Sequence, residues 1–188
     1  MLFTIHDKTT APAAAVPVME ATEKAFGFLP NLYGVFAESP AALGAYAAVN
    51  EVLQHCALSP VEQQVVALTV STENHCSYCV GAHSAIAGMV HMPAETLLQL
   101  RLQQTLSEPR DEALRQFTLA VLQHRGWVPA EKQQAFQTAG FSQQHMLDTL
   151  TIVALKTLSN YTNHLAHTPL DAQFAELAWQ PPKGENHD

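Results

Sequence analysis

Apolar residues recur along this chain mostly at intervals of three and four, which is the spacing of amphipathic helices. No run of alternating β-branched residues lies between turn signals, so the pattern does not predict a strand. Ser39-Pro40 and Ser59-Pro60 each place a capping hydroxyl before a proline at the first helical position. Glu62 completes a capping box with Ser59.

These signals predict a chain made of consecutive helices. The predicted helices cover residues 17–27, 40–56, 60–73, 76–90, 93–103, 109–125, 129–139 and 142–167, with a break near 159–160 and a short helix near 171–178. Further starts are predicted near Pro17, Pro93, Pro109, Pro129 and Ser142, and a helix end at Gly140.

Short connections between these helices are typical of an all-α bundle. We expect one compact domain over residues 1–188, with its core at 40–170. The apolar stretch 28–33 is predicted to be a loop that packs on the body of the protein or on a neighbouring subunit. Residues 1–12 and 180–188 are predicted to be loose ends.

Composition narrows the function classes. The chain is 47% hydrophobic and 14% charged over 188 residues, which excludes a disordered or collagen-like chain and is enough to bury a sizeable core. A net charge of −8 without a basic stripe argues against nucleic acid or an anionic membrane as partner. Apolar runs are too short to cross a bilayer, and the first residues lack the pattern of a secretory signal. We therefore expect a cytoplasmic protein.

The cysteines carry the clearest chemical signal. Cys56 stands alone and is predicted to be a small buried residue at a helix end, whereas Cys76 and Cys79 form a C-x-x-C. At the start of a helix, Cys76, Cys79 and His83 lie on one face. The helix N-terminus stabilises a thiolate, most effectively at Cys76, and a neutral His83 is able to take a proton from Cys79. The spacing favours a dithiol that cycles with a disulfide.

Two other interpretations of the C-x-x-C stay open at this point. Zinc needs four ligands, with His83 as a third ligand and His75, His55 or Cys56 as a fourth, but none of these forms a recognisable second pair. The cysteines are alternatively inert members of the core.

A polar cluster lies inside the last long apolar pattern. It contains Asn160, Asn163, His164 and His167. Buried polar side chains need partners, so the cluster is either a hydrogen-bonded network or the wall of a pocket, and we favour a network over a direct catalytic role.

The spacing of the polar cluster also resembles that of the cysteine segment. The pattern N-x-x-N-x-x-x-H at 160–167 repeats the spacing of C-x-x-C-x-x-x-H at 76–83, 84 positions later. An internally duplicated helical unit is one explanation, and two helices with similar buried faces are the other.

The residues around the cysteines closely resemble the core of the carboxymuconolactone decarboxylase superfamily, and within it the alkylhydroperoxidase D-like, peroxidase-related branch. The matching pieces are Leu58-Ser59-Pro60, Ala67-Leu68-Thr69-Val70-Ser71, Asn74, Cys76-x-x-Cys79-x-x-x-His83, the later run 154–166 and the early run 28–32. The resemblance covers most of the chain and is sharpest over 58–88.

This resemblance implies an all-helical fold of the alkylhydroperoxidase D-like type that assembles into trimers or hexamers. It also implies a thiol-dependent peroxidase or disulfide reductase that needs no metal, haem or other cofactor. On this basis Cys76 attacks a hydroperoxide or a disulfide, Cys79 closes the Cys76–Cys79 disulfide, His83 accepts the proton, and an external dithiol or protein reductant resets the pair.

One position departs from the family pattern. A glutamate of the family's proton relay lies twelve residues before the first cysteine, where this chain has Gln64. Glutamine orients a water or holds His83, but it does not accept a proton. Glu62 lies on a different face of the helix and has its capping role, so it does not substitute for the glutamate. Three alternatives stay open: His83 passes its proton to solvent, another carboxylate such as Glu73 or Asp148 is the base, or peroxidase activity is weak.

Three other functions stay open at this stage. The superfamily includes lactone decarboxylases that act without a redox dithiol. The chain is alternatively a non-enzymatic thiol redox sensor or electron-transfer adaptor, which the departure at Gln64 favours. A zinc-binding structural module is the last of these options.

Overall fold

The structure is a computed structural model that describes residues 3–182, and over that range it contains α-helices, one 3-10 helix and no strand. The elements are α1 (Val16–Phe26), α2 (Asn31–Phe36), α3 (Pro40–Leu53), α4 (Pro60–Glu73), α5 (Ser77–Met89), α6 (Ala94–Arg101), α7 (Pro109–Gln123), α8 (Ala130–Thr138), α9 (Gln143–Ala166) and the 3-10 helix Ala172–Leu177. The prediction of an all-α fold is confirmed.

Local capping signals place the helix starts where the sequence predicts them. Ser39 Oγ accepts from the backbone N–H of Ala42. At α4 both bonds of the capping box form, because Ser59 Oγ accepts from Glu62 N and Glu62 accepts from Ser59 N at 2.7 Å. Gly140 follows α8 with a φ of +90°, the left-handed conformation that ends a helix.

Helix α4 lies at the centre and packs against α5, α6, α7 and α9. It is buried from Gln64 to Thr72, so this stretch has no solvent-exposed face. Its hydroxyl groups are satisfied within the helix, because Thr69 and Ser71 each donate to the carbonyl four residues earlier at 2.7 Å. This central helix supports the start of α5, where the cysteines lie.

The prediction of a loop at 28–33 is wrong for its second half, because α2 begins at Asn31. Its first backbone N–H groups are satisfied by distant residues: Asp171 Oδ1 accepts from Asn31 N at 2.9 Å, and the Tyr78 hydroxyl accepts from Leu32 N at 3.2 Å. The cap therefore comes from tertiary structure, which no local signal reports. The segment packs on the body of the protein, with Leu32 buried.

The last long helix has no break at 159–160, since α9 runs from Gln143 to Ala166. The polar side chains at those positions find partners on other elements without disturbing the helix backbone. Asn160 Oδ1 accepts from Asn74 Nδ2 at 3.0 Å, and Asn160 Nδ2 lies 3.4 Å from Ser71 Oγ.

Backbone geometry does not support an internal duplication. Residues 143–166 form one continuous helix, whereas the segment 84 positions earlier consists of α4, a turn and the start of α5. The similar spacing reflects two buried faces that pack against each other.

The N-terminal segment is docked over its described part rather than loose. His6 N donates to the Gly34 carbonyl at 3.1 Å. A Cβ on Gly34 would lie 2.7 Å from the His6 carbonyl oxygen, so glycine permits this close approach. At the other end, Trp179 is buried and donates to the Arg101 carbonyl at 2.8 Å. Residues 183–188 of the predicted loose end lie outside the described residues.

Candidate active site

The start of α5 and the buried face of α9 meet and enclose the two sulfur atoms. Cys76 is the N-cap residue of α5, and Cys79 lies in its first turn. Each cysteine is 1% exposed, and both are free thiols. Helix α9 presents its polar side chains to them at Lys156, Ser159, Asn160 and Asn163, all of which are buried.

Cys79 is surrounded by groups that favour its thiolate. Asn163 Nδ2 donates to Cys79 Sγ at 3.3 Å, Lys156 Nζ lies 3.7 Å away, and Ser159 Oγ lies 3.8 Å away. Burial by itself raises the pKa of this thiol, but the hydrogen bond from the Cys76 thiol and the positive charge of Lys156 outweigh it and lower the pKa to about 5. Cys79 is therefore ionised at neutral pH.

Cys76 has the opposite character. Its hydrogen bond to Cys79 and its burial raise its pKa well above the ordinary value for a thiol, and the backbone N–H of Cys79 opposes this only weakly. Its sulfur makes no cap hydrogen bond at the helix N-terminus and lies 4.0 Å from the Asn160 carbonyl, which is an acceptor. The electrostatic order is thus the reverse of the sequence expectation that Cys76 carries the thiolate.

His83 is linked to Cys79 through Lys156. Its Nε2 lies 2.7 Å from Lys156 Nζ, and its Nδ1 lies 2.8 Å from Gln64 Oε1. An ammonium group only donates, so Nε2 is the acceptor and Nδ1 carries the hydrogen that it donates to Gln64. Burial, and then the charge of Lys156, lower the pKa of His83 well below its usual value. The imidazole is therefore neutral.

Both carboxylates proposed as substitute bases make their hydrogen bonds to residues outside this group. Glu73 accepts from Gln123, and Asp148 accepts from the backbone N–H of Ala57 at 2.8 Å. Glu62 is held by its capping box and by Arg110, at 2.9 Å. Gln64 thus stands at the end of a chain that runs through His83 and Lys156 to Cys79, as an acceptor that fixes the histidine tautomer.

Sequence reasoning overlooked Lys156, the one buried lysine among the described residues. The sequence did contain a signal for it, because the apolar pattern of this helix continues with polar residues at the same three- and four-residue spacing. These residues are Lys156, Ser159, Asn160 and Asn163. A lysine at such a position must be buried unless its side chain reaches solvent.

The polar cluster of the sequence analysis divides into two parts. Asn160 and Asn163 belong to the hydrogen-bond network around the cysteines. His164 is exposed, and His167 is exposed and forms the left-handed C-cap of α9. Asn163 Oδ1 is buried and has no hydrogen-bond partner among the described residues.

A small cavity opens beside Cys79. Its volume is about 80 Å³, and its walls include Lys156 and His83. Five aromatic rings contribute to the lining: Phe26, Tyr33, Tyr46, Tyr78 and Phe174. An open groove of about 600 Å³ runs outside it between α1 and α3 and is also lined by Gln64 and His83. The imidazole therefore borders both spaces, while Cys79 and Lys156 border only the inner one.

Among the other candidate ligands, Cys56 does not join this site. Cys56 lies after α3 with its thiol 3.6 Å from the Leu58 carbonyl, and burial raises its pKa. Within residues 3–182 no three His, Cys, Asp or Glu side chains come together in an arrangement that would hold a metal ion. The described helices include none with the length and apolar character that a membrane span requires.

Comparison with known proteins agrees with this fold. A model of the carboxymuconolactone decarboxylase family matches residues 40–108, which include both cysteines and His83. None of the curated proteins compared matches the sequence.

Solved structures share the fold over nearly the whole chain. An uncharacterized peroxidase-related protein from Ralstonia eutropha JMP134, an alkylhydroperoxidase AhpD core, superposes with a TM-score of 0.81 at 24% identity, over 92% of this chain and 93% of its own. The debrominase Bmp8, in a cysteine-to-alanine variant bound to 2,3,4-tribromopyrrole, has a TM-score of 0.78 at 19% identity, over 94% and 95%. A peroxidase-related protein from Silicibacter sp. TM1040 has a TM-score of 0.75 at 20% identity, over 91% and 93%.

The fold is that of the AhpD-type structures, and over residues 40–108 the chain is similar to the carboxymuconolactone decarboxylase family.

Proposed function

We propose that this protein is a thiol-dependent peroxidase, which reduces a hydroperoxide with the electrons of the Cys76 and Cys79 pair. The observation that carries the proposal is the buried, ionised Cys79 next to Lys156, with its protonated partner Cys76 one helical turn away and a cavity beside it. A low-pKa thiolate is the nucleophile that such a reaction needs.

The reaction balances with these groups. Cys79 Sγ attacks one oxygen of ROOH, an S–O bond forms, the O–O bond breaks, and the leaving oxygen takes a proton to give ROH. The Cys76 sulfur then attacks the sulfenic acid, the S–O bond breaks, and the Cys76 proton leaves with the hydroxide as water. An external dithiol or protein reductant supplies two electrons and two protons to restore the pair. The two cysteines thus exchange the roles expected from the sequence.

The cavity favours a short apolar organic hydroperoxide. Its volume of about 80 Å³ holds about five to eight water-sized groups, since each needs about 10–15 Å³. Its aromatic walls suit an apolar R group, and Lys156 and Cys79 place the polar reaction at one side.

Consumption of a hydroperoxide in the presence of a dithiol tests the proposal. We expect turnover by the wild type, none by Cys79→Ser, and at most a single turnover by Cys76→Ser, because that variant forms the sulfenic acid without resolving it. Cys56→Ser is the matched control and keeps full activity. If the pair oxidises readily without any turnover, a redox sensor or adaptor is the better description. A lactone decarboxylase would instead keep its activity without either cysteine.

A second candidate is the reductive removal of a halogen from an aromatic ring. It is suggested by the likeness to a debrominase together with the ring-lined cavity beside a dithiol. Here Cys79 takes the halogen, the ring takes a proton, and Cys76 displaces halide as the disulfide forms. Release of bromide from a brominated pyrrole would support it, and its absence under conditions that consume hydroperoxide would exclude it.

We further propose a homo-oligomer, a trimer or hexamer, that uses the outward face of α9. This face carries exposed Leu147, Leu150, Leu158, Tyr161 and Leu165, which are spaced as one apolar stripe. Solution sizing of the wild type and Leu165→Asp tests this. A wild-type monomer at working concentration would contradict it.

A further inference from the structure

Lys156 is a buried cation with few partners. Its side chain is 2% exposed, and Nζ has two neighbours in the site, His83 Nε2 at 2.7 Å and Cys79 Sγ at 3.7 Å. The described residues that line the cavity include no carboxylate, and Lys156 is their one cationic side chain. Because an unpaired buried charge is strongly destabilising, the thiolate of Cys79 is the counterion that keeps this ammonium group charged.

Oxidation of the pair removes that counterion. In the sulfenic acid and in the disulfide, Cys79 has no negative charge, and the remaining close partner of Nζ is the neutral His83. Asn163 and Ser159 are neutral as well. A charged Lys156 would then be buried without compensation, so the site favours loss of its proton as the thiolate disappears.

We propose that Lys156 is the acid of the reaction, which gives its proton to the oxygen that leaves the peroxide and regains one only when the disulfide is reduced. The proposal rests on the proposed peroxidase function, and it identifies the group that supplies the proton to the leaving oxygen. Because Nζ lies 3.7 Å from Sγ and lines the same cavity, a peroxide in contact with Sγ brings its second oxygen within hydrogen-bond reach of Nζ. His83 and Gln64 position the ammonium group, through the contact of His83 Nε2 with Lys156 Nζ and of His83 Nδ1 with Gln64 Oε1.

Protons and electrons balance over the cycle. Cys79–S⁻, ROOH and Lys156–NH3⁺ give Cys79–SOH, ROH and Lys156–NH2. Cys76–SH and Cys79–SOH then give the disulfide and water, and Lys156 stays neutral. A dithiol reductant supplies two electrons and two protons, of which one returns to Cys76 and the other to Lys156. The buried site is thus electrically neutral at every stage.

The number of protons taken up on reduction distinguishes this scheme from a permanently charged lysine. If Lys156 regains its charge when the disulfide is reduced, two protons enter with two electrons. The equilibrium constant of the protein's reduction half-reaction then changes about 100-fold per pH unit. If Lys156 stays charged throughout, only Cys76 takes up a proton, and the change is about 10-fold per pH unit.

Other titratable groups face this pair and have to be considered. They are Cys76 and Tyr78 on α5, Tyr33 on α2, Tyr46 on α3, His75 before α5, and His164 on α9. Burial raises the pKa of the three tyrosines, so they stay protonated in the neutral range. Burial lowers the pKa of His83 and of His164. The three tyrosines, His83 and His164 therefore contribute little, above neutral pH, to the number of protons taken up on reduction.

The experiment is the redox equilibrium of the full chain with a glutathione buffer, measured between about pH 7 and about pH 8. The result is converted to the protein's own half-reaction, because glutathione disulfide also takes up two protons with two electrons. For the wild type we expect an equilibrium with glutathione that does not change with pH, which is about a 100-fold change per pH unit in the half-reaction and corresponds to about 59 mV. In Lys156→Arg the charge is kept but cannot be lost, so we expect about a 10-fold change per pH unit. Thiolate absorbance of the reduced proteins confirms that Cys79 is ionised in both.

If the half-reaction equilibrium constant of the wild type changed only about 10-fold per pH unit, the proposal would be overturned. The same holds if this pH dependence were equal in the wild type and in Lys156→Arg. If the arginine variant does not fold, the wild-type slope still decides. No step of this measurement needs a hydroperoxide. If the pH dependence is as expected but the separate turnover assay shows no consumption of hydroperoxide, the proposed function fails. The coupling between the charge of Lys156 and the disulfide then still stands.

Discussion

Helices α5 and α9 face each other across the site and contribute different things to it. Helix α5 supplies the two sulfur atoms, both 1% exposed and three residues apart, while α9 supplies the cation and amides that touch them. Asn163 and Lys156 lie close to Cys79, whereas Cys76 lies near the Asn160 carbonyl. Equal burial therefore leads to opposite pKa shifts. The motif on α5 provides the two sulfur atoms, and the facing helix decides which of them is the thiolate.

The largest expected effect is the difference in reactivity between the two cysteines. It is measured by alkylation of the reduced protein with limiting iodoacetamide at about pH 7. Because Cys79 is ionised and Cys76 is not, we expect Cys79 to be labelled in preference by about 100-fold or more. Peptide mapping by mass spectrometry gives the ratio, with unfolded protein as the reference in which the preference disappears. Preferential labelling of Cys76 would reverse our assignment of roles.

Removing the cation from α9 is the next largest change. In Lys156→Met the pKa of Cys79 rises by about 1–3 units, because the nearby positive charge is lost and burial is then opposed by fewer groups. The measurement is a pH titration of thiolate absorbance. Lys24→Met is the matched control, since Lys24 is exposed on α1. An unchanged midpoint in Lys156→Met would show that the amides of α9 alone hold the thiolate.

Gln64→Glu changes the far end of the chain that leads to Cys79. A carboxylate next to His83 Nδ1 would raise the pKa of the imidazole, so its ring becomes a competitor of Lys156 for the positive charge. We expect hydroperoxide turnover to change by up to about tenfold, with a new inflection in its pH profile below neutrality. Gln104→Glu, on an exposed position, is the control. If the pH profile of turnover were the same in Gln64→Glu and in the wild type, Gln64 would have no influence on the two cysteines.

The smallest expected effect is on stability. The folded pKa of Cys79, about 5, lies below the ordinary value of 9.0, so between these values the unfolded chain binds more protons than the folded one. The reduced protein therefore gains stability as the pH rises through this window and loses it as the pH falls, by up to about 1.4 kcal/mol per unit. The lowered pKa of His83 acts in the same direction below its ordinary value of 6.5.

Denaturant unfolding of the reduced protein at two pH values tests this, with the double variant Cys79→Ser, Lys156→Met as the control, because it lacks both groups of the buried ion pair. We expect the wild type to show the steeper rise of the free energy of unfolding with pH. Parallel curves for the two proteins would contradict the ionised Cys79.

The sequence alone determined the features that depend on neighbouring residues. Ser59 and Glu62 form their capping box within one turn, and the spacing of Cys76, Cys79 and His83 puts them on one helix face. Local hydrogen bonds and helical periodicity are properties of short segments, so they are readable without knowledge of the fold. The all-α class followed from the same signals.

Tertiary structure decided what depends on contacts between distant segments. Helix α2 begins at Asn31 because Asp171 accepts its first N–H, although 140 positions separate the two residues. Cys79 becomes the thiolate because Lys156 and Asn163 of α9 pack against it. The pKa of a buried group depends on the charges and dipoles within a few ångströms, and only the packing of α5 against α9 brings those groups together.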